Sequence, residues 1–323
     1  MKLINKKTID EIIKPLEIIG AVERAFHLYG KAAFVMPERF SFEHADMTFL
    51  YMPCFTDTVC GTKMLTLVPE NRERGLPSID GMVVLNHHET GQAIALLDGK
   101  SVTAWRTGAT GALAARILSY ENASCLGIVG CGVQGLYQGI CISAVRKIKR
   151  IFLYDAFKSK ASMNVFAEKL REACPEVEDI RICGDVATLV AESEIIVTTT
   201  FSKEPVLPED KHLLEGKCYI AVGSYKPDMR ELPDALFALE PEVYVDLMYA
   251  CKESGDLSTR IEKGLLKEDR IKCLHQVLDG TVEKAGKRTV LFKTVGMALV
   301  DMVAAEYLYR KASELEKGTE VEF

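Results

Sequence analysis

The hexapeptide Gly130-Cys131-Gly132-Val133-Gln134-Gly135 spaces its glycines as GxGxxG, and an acid, Asp155, stands 20 residues beyond the last of them. This spacing suits a dinucleotide. The first glycine permits a tight turn, the second lets backbone approach a pyrophosphate, and the third lets a helix pack closely on the preceding strand. Val133 and Gln134 then open that helix, where free N–H groups and the helix dipole favour a phosphate. Asp155 is placed to bind the hydroxyls of the adenosine ribose. Its charge repels a 2′-phosphate, so the expected cofactor is NAD(H) in preference to NADP(H), even with Lys158 close by in the chain.

Three cations offer a second chemistry. Lys63 lies in an otherwise uncharged run, and strand alternation puts it on one face with Leu65 and Leu67. A lysine so placed is either buried with a partner or projects at the rim of a cleft. Arg106 stands among alanines and glycines near the start of a helix, where its planar guanidinium can hold a carboxylate through two hydrogen bonds. Arg39 follows Pro37 closely. The chain carries a net charge of −6, which argues against a broad nucleic-acid or anionic-membrane surface but leaves room for a local site for a small acid.

The elements that must position these residues can be read in order. Residues 7–31 have helical spacing divided by Pro15. After a polar turn beyond Phe40, strands are expected at Thr48–Met52, Cys60–Val68, Gly81–Asn86 and Ala93–Leu97, forming an antiparallel or mixed sheet. Turn chemistry at Asp98–Ser101 precedes a helix over Val102–Leu118, rich in small residues. From Cys125 onward strands and helices alternate, which implies a mainly parallel sheet with helices on both faces. The strands fall at Leu126–Val129, Ile151–Tyr154, Ile180–Ile182, Ile195–Thr199, Tyr219–Val222 and Val243–Val245. A polar connection over Leu278–Thr289 leads to a helix expected across Val290–Lys311, and the closing residues read as a solvated tail.

The 323 residues suffice for about two domains. The ten cysteines lack CxxC pairs and the six histidines lack HExxH spacing, so no metal site is expected. The thiols read as reduced and the N-terminus has no continuous apolar signal segment, which suggests a cytoplasmic protein.

Several short motifs recur along the chain: Pro37-Glu38-Arg39, Gly61-Thr62-Lys63, Gly75-Leu76-Pro77, Leu97-Asp98-Gly99, Thr103-Ala104-Trp105-Arg106-Thr107-Gly108-Ala109, the glycine turn, Ala221-Val222-Gly223, Glu253-Ser254-Gly255-Asp256 and Leu291-Phe292-Lys293-Thr294-Val295-Gly296. Together, and in this order, they resemble the ornithine cyclodeaminase and mu-crystallin family. The resemblance implies an α/β chain in which a Rossmann dinucleotide-binding domain, residues 121–289, is inserted in a split α+β substrate and dimerisation domain, residues 1–120 and 290–323. It further implies a homodimer. By the same resemblance Arg39, Lys63 and Arg106 hold the carboxylate end of a small amino or imino acid, and Thr107 and Thr294 lie near the cofactor.

One departure bears on the reaction. Family members that cyclise ornithine usually carry an aspartate after the Val-Gly run, and here Tyr225 occupies that position, with Asp228 displaced by three residues. The pattern is more similar to the ketimine reductase branch. The expected activity is therefore NADH-dependent reduction of Δ1-pyrroline-2-carboxylate or Δ1-piperideine-2-carboxylate, with Lys63 or Tyr225 as proton relay. Alternatives are ornithine cyclodeamination, an alanine-dehydrogenase-like reaction, and non-catalytic binding of a small ligand.

Overall fold

The computed structural model describes residues 1–283 and 289–322. Two compact units divide the chain, one made of Met1–Arg106 with Met297–Phe323 and the other of Thr107–Gly296. The expectation from sequence had placed these divisions at 120/121 and 289/290. The first division instead falls inside the helix Gly99–Leu118.

In the first unit seven strands form a mixed sheet, in the order Thr319–Glu320, Lys2–Ile4, Ala93–Asp98, Ile79–His87, Val59–Leu67, Met47–Phe55 and Phe40–His44. Helices Pro15–Gly30 and Ala298–Glu314 pack together, and the latter also lies against Val59–Leu67. Pro15 takes the first helical position, where its fixed φ suits the helix and its missing N–H costs nothing. That is why the apolar pattern from Ile9 to Phe26 splits into two helices. Along Val59–Leu67 burial alternates, so Lys63, Leu65 and Leu67 all face the core. A Cβ at Gly61 would meet Val84 O of the neighbouring strand at 2.1 Å and Met302 Sδ of the helix at 3.2 Å, so glycine is needed chiefly where the two strands pair.

The second unit is an eight-stranded, wholly parallel sheet in the order Lys272–Cys273, Glu242–Val245, Val290–Lys293, Cys218–Ala221, Ile195–Thr198, Cys125–Val129, Arg150–Tyr154 and Asp179–Ile182. The central strands are buried along their whole length, as a sheet covered on both faces requires. The main connecting helices, Val133–Val145, Lys160–Ala173 and Val186–Glu192, start where the glycine turn, Ser159 and Asp185 cap them.

Four local expectations are corrected. Val290–Lys293 is a buried strand, Gly296 turns the chain at φ 80°, and the helix starts only at Ala298. A short apolar run has no periodicity to separate strand from helix, and pairing with both Cys218–Ala221 and Glu242–Val245 decided it. Phe40–His44 is an exposed edge strand, with the turn moved to Ala45 at φ 49°. The helix carrying Arg106 begins at Gly99, because Asp98 Oδ1 accepts from Ser101 N at 2.7 Å and caps it. In the tail, Thr319 and Glu320 pair with Leu3 and Lys2, so backbone bonding rather than burial orders them. Within the polar connection expected at Leu278–Thr289, residues 284–288 lie outside the described residues. Among the described residues no helix is long and apolar enough to cross a membrane, and no group of His, Cys, Asp or Glu is placed to hold a metal ion.

Candidate active site

In the first unit three charged side chains meet away from solvent. Lys63 Nζ donates to Asp301 Oδ2 at 2.6 Å, and Arg106 Nε forms an ion pair with Asp301 Oδ1 at 2.8 Å. Lys63 is 1% exposed and Asp301 0%, so neither charge is solvated and each depends on the other. Burial is the main influence on Lys63 and brings its ammonium down to about 7; Asp301 opposes this, while Arg106 and Arg39 add to it. Arg39 is therefore close enough to act on Lys63, while Lys63 and Arg106 share one carboxylate. Asp301 was missed as a site residue. Its signal was available: an acid within Ala298-Leu299-Val300-Asp301-Met302-Val303, where a buried charge must have a partner.

In the second unit the glycine turn has the geometry its spacing requires. Gly130 sits at φ 94°, and a Cβ there would meet Thr199 O and Thr200 Cγ2, both at 2.9 Å. At Gly135 a Cβ would lie 2.3 Å from Gly130 O, whereas at Gly132 it would meet nothing within 4 Å. The middle glycine thus faces open space. The N–H groups of Val133, Gln134 and Gly135 precede the first bond of their helix, Leu136 N to Gly132 O, and form its positive end. Asp155, at the tip of Arg150–Tyr154, accepts from Cys131 N at 2.9 Å and Phe157 N at 3.0 Å, which ties the acid to the turn. Among the described residues Thr107 Oγ1 is buried without a hydrogen-bond partner. An open glycine cradle, a helix N-terminus, a strand-end carboxylate and an unsatisfied buried hydroxyl are features that fit a dinucleotide.

The loops at the C-terminal ends of the strands are held by buried acids that the sequence reading did not single out. Glu231 accepts from Thr200 N at 2.6 Å, Gly223 N at 2.7 Å and Ser224 N at 3.3 Å, joining the ends of two neighbouring strands. Burial raises its pKa, with Lys293 acting the other way. Asp256 Oδ1 accepts from Glu231 N and Leu232 N at 2.8 and 2.9 Å, while its Oδ2 faces Lys293 Nζ at 3.6 Å. A Cβ at Gly255 would lie 2.4 Å from the carbonyls of Pro227 and Met229, so the Glu-Ser-Gly-Asp motif serves to hold the loop bearing Tyr225. Thr294 is 2% exposed and gives its hydroxyl to Asp246 Oδ2, which also accepts from Val295 N and Gly296 N. That hydroxyl is thus committed within the protein.

Tyr225 packs edge-on against Phe201 at 6.2 Å, and burial pushes its phenol pKa up. Asp228 is exposed and pairs with Lys203 at 2.8 Å, so it does not replace the missing acid.

Comparison with known proteins identifies the family. Residues 2–316 match the model of the ornithine cyclodeaminase/mu-crystallin family. A Δ1-pyrroline-2-carboxylate reductase from Bacillus cereus is 34% identical, with 97% of each chain covered. The ketimine reductase mu-crystallin of Mus musculus is 30% identical over 80% of this chain and 78% of its own. The solved structure of Thermococcus litoralis Δ1-pyrroline-2-carboxylate reductase with NADH and L-proline superposes with a TM-score of 0.92 at 30% identity, covering 99% of this chain and 100% of that one. The chain belongs to the ornithine cyclodeaminase/mu-crystallin family.

Proposed function

We propose that this protein catalyses the NADH-dependent reduction of a small cyclic imino acid, Δ1-pyrroline-2-carboxylate or Δ1-piperideine-2-carboxylate, to L-proline or L-pipecolate. The observation that carries the reading is the buried group in which Lys63 and Arg106 share one carboxylate, Asp301. With Lys63 protonated the group has one positive charge in excess. A substrate carboxylate balances it, and a planar guanidinium gives that carboxylate a fixed orientation. The activities named for the relatives support the same substrate class.

NADH, when bound, supplies the hydride for the imine carbon. The protein's own part is to orient the substrate and move one proton. Arg106 and Arg39 hold the carboxylate. Lys63 delivers a proton to the ring nitrogen, so that C=N becomes CH–NH, and Asp301 keeps the ammonium aimed. An amine that ionises near 7 can both give a proton and regain it at neutral pH. Burial raises the Tyr225 phenol pKa, so Tyr225 keeps its proton and is able to donate a hydrogen bond. Gly130, Gly132, Val133, Gln134 and Gly135 would receive the pyrophosphate and Asp155 the ribose, and Thr107 and Thr294 are the other residues assigned to the cofactor.

The same reading includes a homodimer and a cytoplasmic location. Phe40 and Phe42, 53% and 60% exposed, lie on the open edge strand of the first unit, a surface that a second copy of the chain covers. Ten free cysteines suit a reducing compartment. Ornithine cyclodeamination is disfavoured because Tyr225 stands where the acid is needed and Asp228 is paired elsewhere.

The test is NADH oxidation with each cyclic imine beside ammonia release from ornithine with NAD. Turnover of either imine without ammonia release from ornithine supports the reading; the reverse pattern overturns it.

A further inference from the structure

The helix Val133–Val145, which opens at the glycine turn, approaches the helix carrying Thr107 closely enough for backbone to meet backbone. A Cβ at Gly108 would lie 2.6 Å from Tyr137 O. The next residue, Gln138, is 0% exposed, and its Nε2 donates to the main-chain carbonyl of Thr107 at 2.9 Å. The amide occupies the space a side chain at position 111 would need: a Cβ on Gly111 would stand 1.9 Å from Gln138 Oε1. Gly108 and Gly111 therefore do more than weaken a helix. They open a slot in it, and Gln138 fills the slot.

The carbonyl of Thr107 lies mid-helix and already has a partner in the helix's own ladder. A second donor adds little to folding, yet it defines where Thr107 stands along the glycine-turn helix. Among the described residues Gln138 Oε1 has no partner, so the amide has not been placed for its own satisfaction.

We infer that Gln138 is a positioning residue for the reduction, holding Thr107 in register with the helix that receives the dinucleotide. The inference rests on the proposed function. It predicts that losing the amide impairs hydride transfer more than cofactor binding, because the glycine turn itself is untouched.

Two variants test it. Gln138→Met keeps length and helix propensity and removes the donor. Gly111→Ala leaves Gln138 in the sequence but displaces the flexible end of its side chain. Both should fold with a melting temperature near that of the parent and bind NADH within about threefold, while kcat at saturating imine falls about tenfold to a hundredfold. The double variant should be no worse than either alone, since both remove the same contact. Unchanged kcat in either folded variant overturns the inference. So does a loss of NADH affinity in step with kcat, or failure of Gln138→Met to fold, since each makes the amide a support of the fold alone. Absence of turnover in the parent protein would instead be a failure of the proposed function.

Discussion

Lys63 and Asp301 are 238 residues apart in the chain, and their side chains meet at 2.6 Å with neither open to water. One comes from a sheet strand and the other from the last long helix, so the pair exists only when both ends of the chain have folded together. Replacing Asp301 by Leu leaves two cations without their shared counter-charge. Loss of one partner from a buried pair costs about 3–5 kcal/mol, and a large fall in melting temperature is expected. Asp301→Asn keeps the shape and should be milder in stability while still reducing turnover. Thermal unfolding beside kcat measures both.

Lys63 sets the pH response. It ionises at about 7 instead of its ordinary 10.5, so it is protonated below that pH and neutral above it. Imine reduction needs the proton and should decline as pH rises through about 7, while oxidation of L-proline with NAD, which needs the free amine, should increase. Stability moves as well. Between the folded and unfolded pKa values the unfolded chain holds a proton that the folded chain lacks, so Lys63 opposes folding fully below about 7 and progressively less up to 10.5. In Lys63→Met the inflection near 7 should vanish from both pH–rate profiles.

Gly132→Ala and Gly135→Ala should separate binding from folding. At Gly132 the added methyl meets no protein atom, so the variant should melt normally and lose NADH affinity, about tenfold or more, where phosphate approaches the backbone. At Gly135 the methyl would lie 2.3 Å from Gly130 O and should destabilise the unit. NADH titration and thermal unfolding of the two variants check the split.

Asp155 carries the cofactor preference. Asp155→Ser removes the charge that repels a 2′-phosphate, and the ratio of kcat/KM for NADH to that for NADPH should fall by about tenfold or more. The serine also shortens the reach to Cys131 N, so some NADH affinity should be lost too. An unchanged ratio would remove Asp155 from the ribose site.

For the homodimer, Phe40→Ser with Phe42→Ser should weaken association without disturbing the interior, since both side chains are exposed on the edge strand. Sedimentation velocity should show a dimer for the parent and a shift toward monomer for the variant. A parent that sediments as a monomer refutes the dimer.

The cofactor half of the site was legible because its parts are local. Strand Cys125–Val129, the glycine turn, helix Val133–Val145 and Asp155 follow one another in the chain, and the glycine spacing alone imposes the turn they need. The alternating core of Val59–Leu67 and the division at Pro15 were legible for the same reason. What the tertiary structure decided are matters of pairing between distant segments. Val290–Lys293 became a strand because two parallel neighbours were waiting for it, and Thr319–Glu320 became ordered because Lys2–Leu3 offered backbone partners. The sequence alone singled out Lys63, Arg106 and Arg39 as cations able to hold an acid. Only the fold supplied Asp301 as the common counter-ion of Lys63 and Arg106 and lowered the Lys63 pKa toward neutrality, since burial and partner distance depend on which strand face the helix Ala298–Glu314 covers.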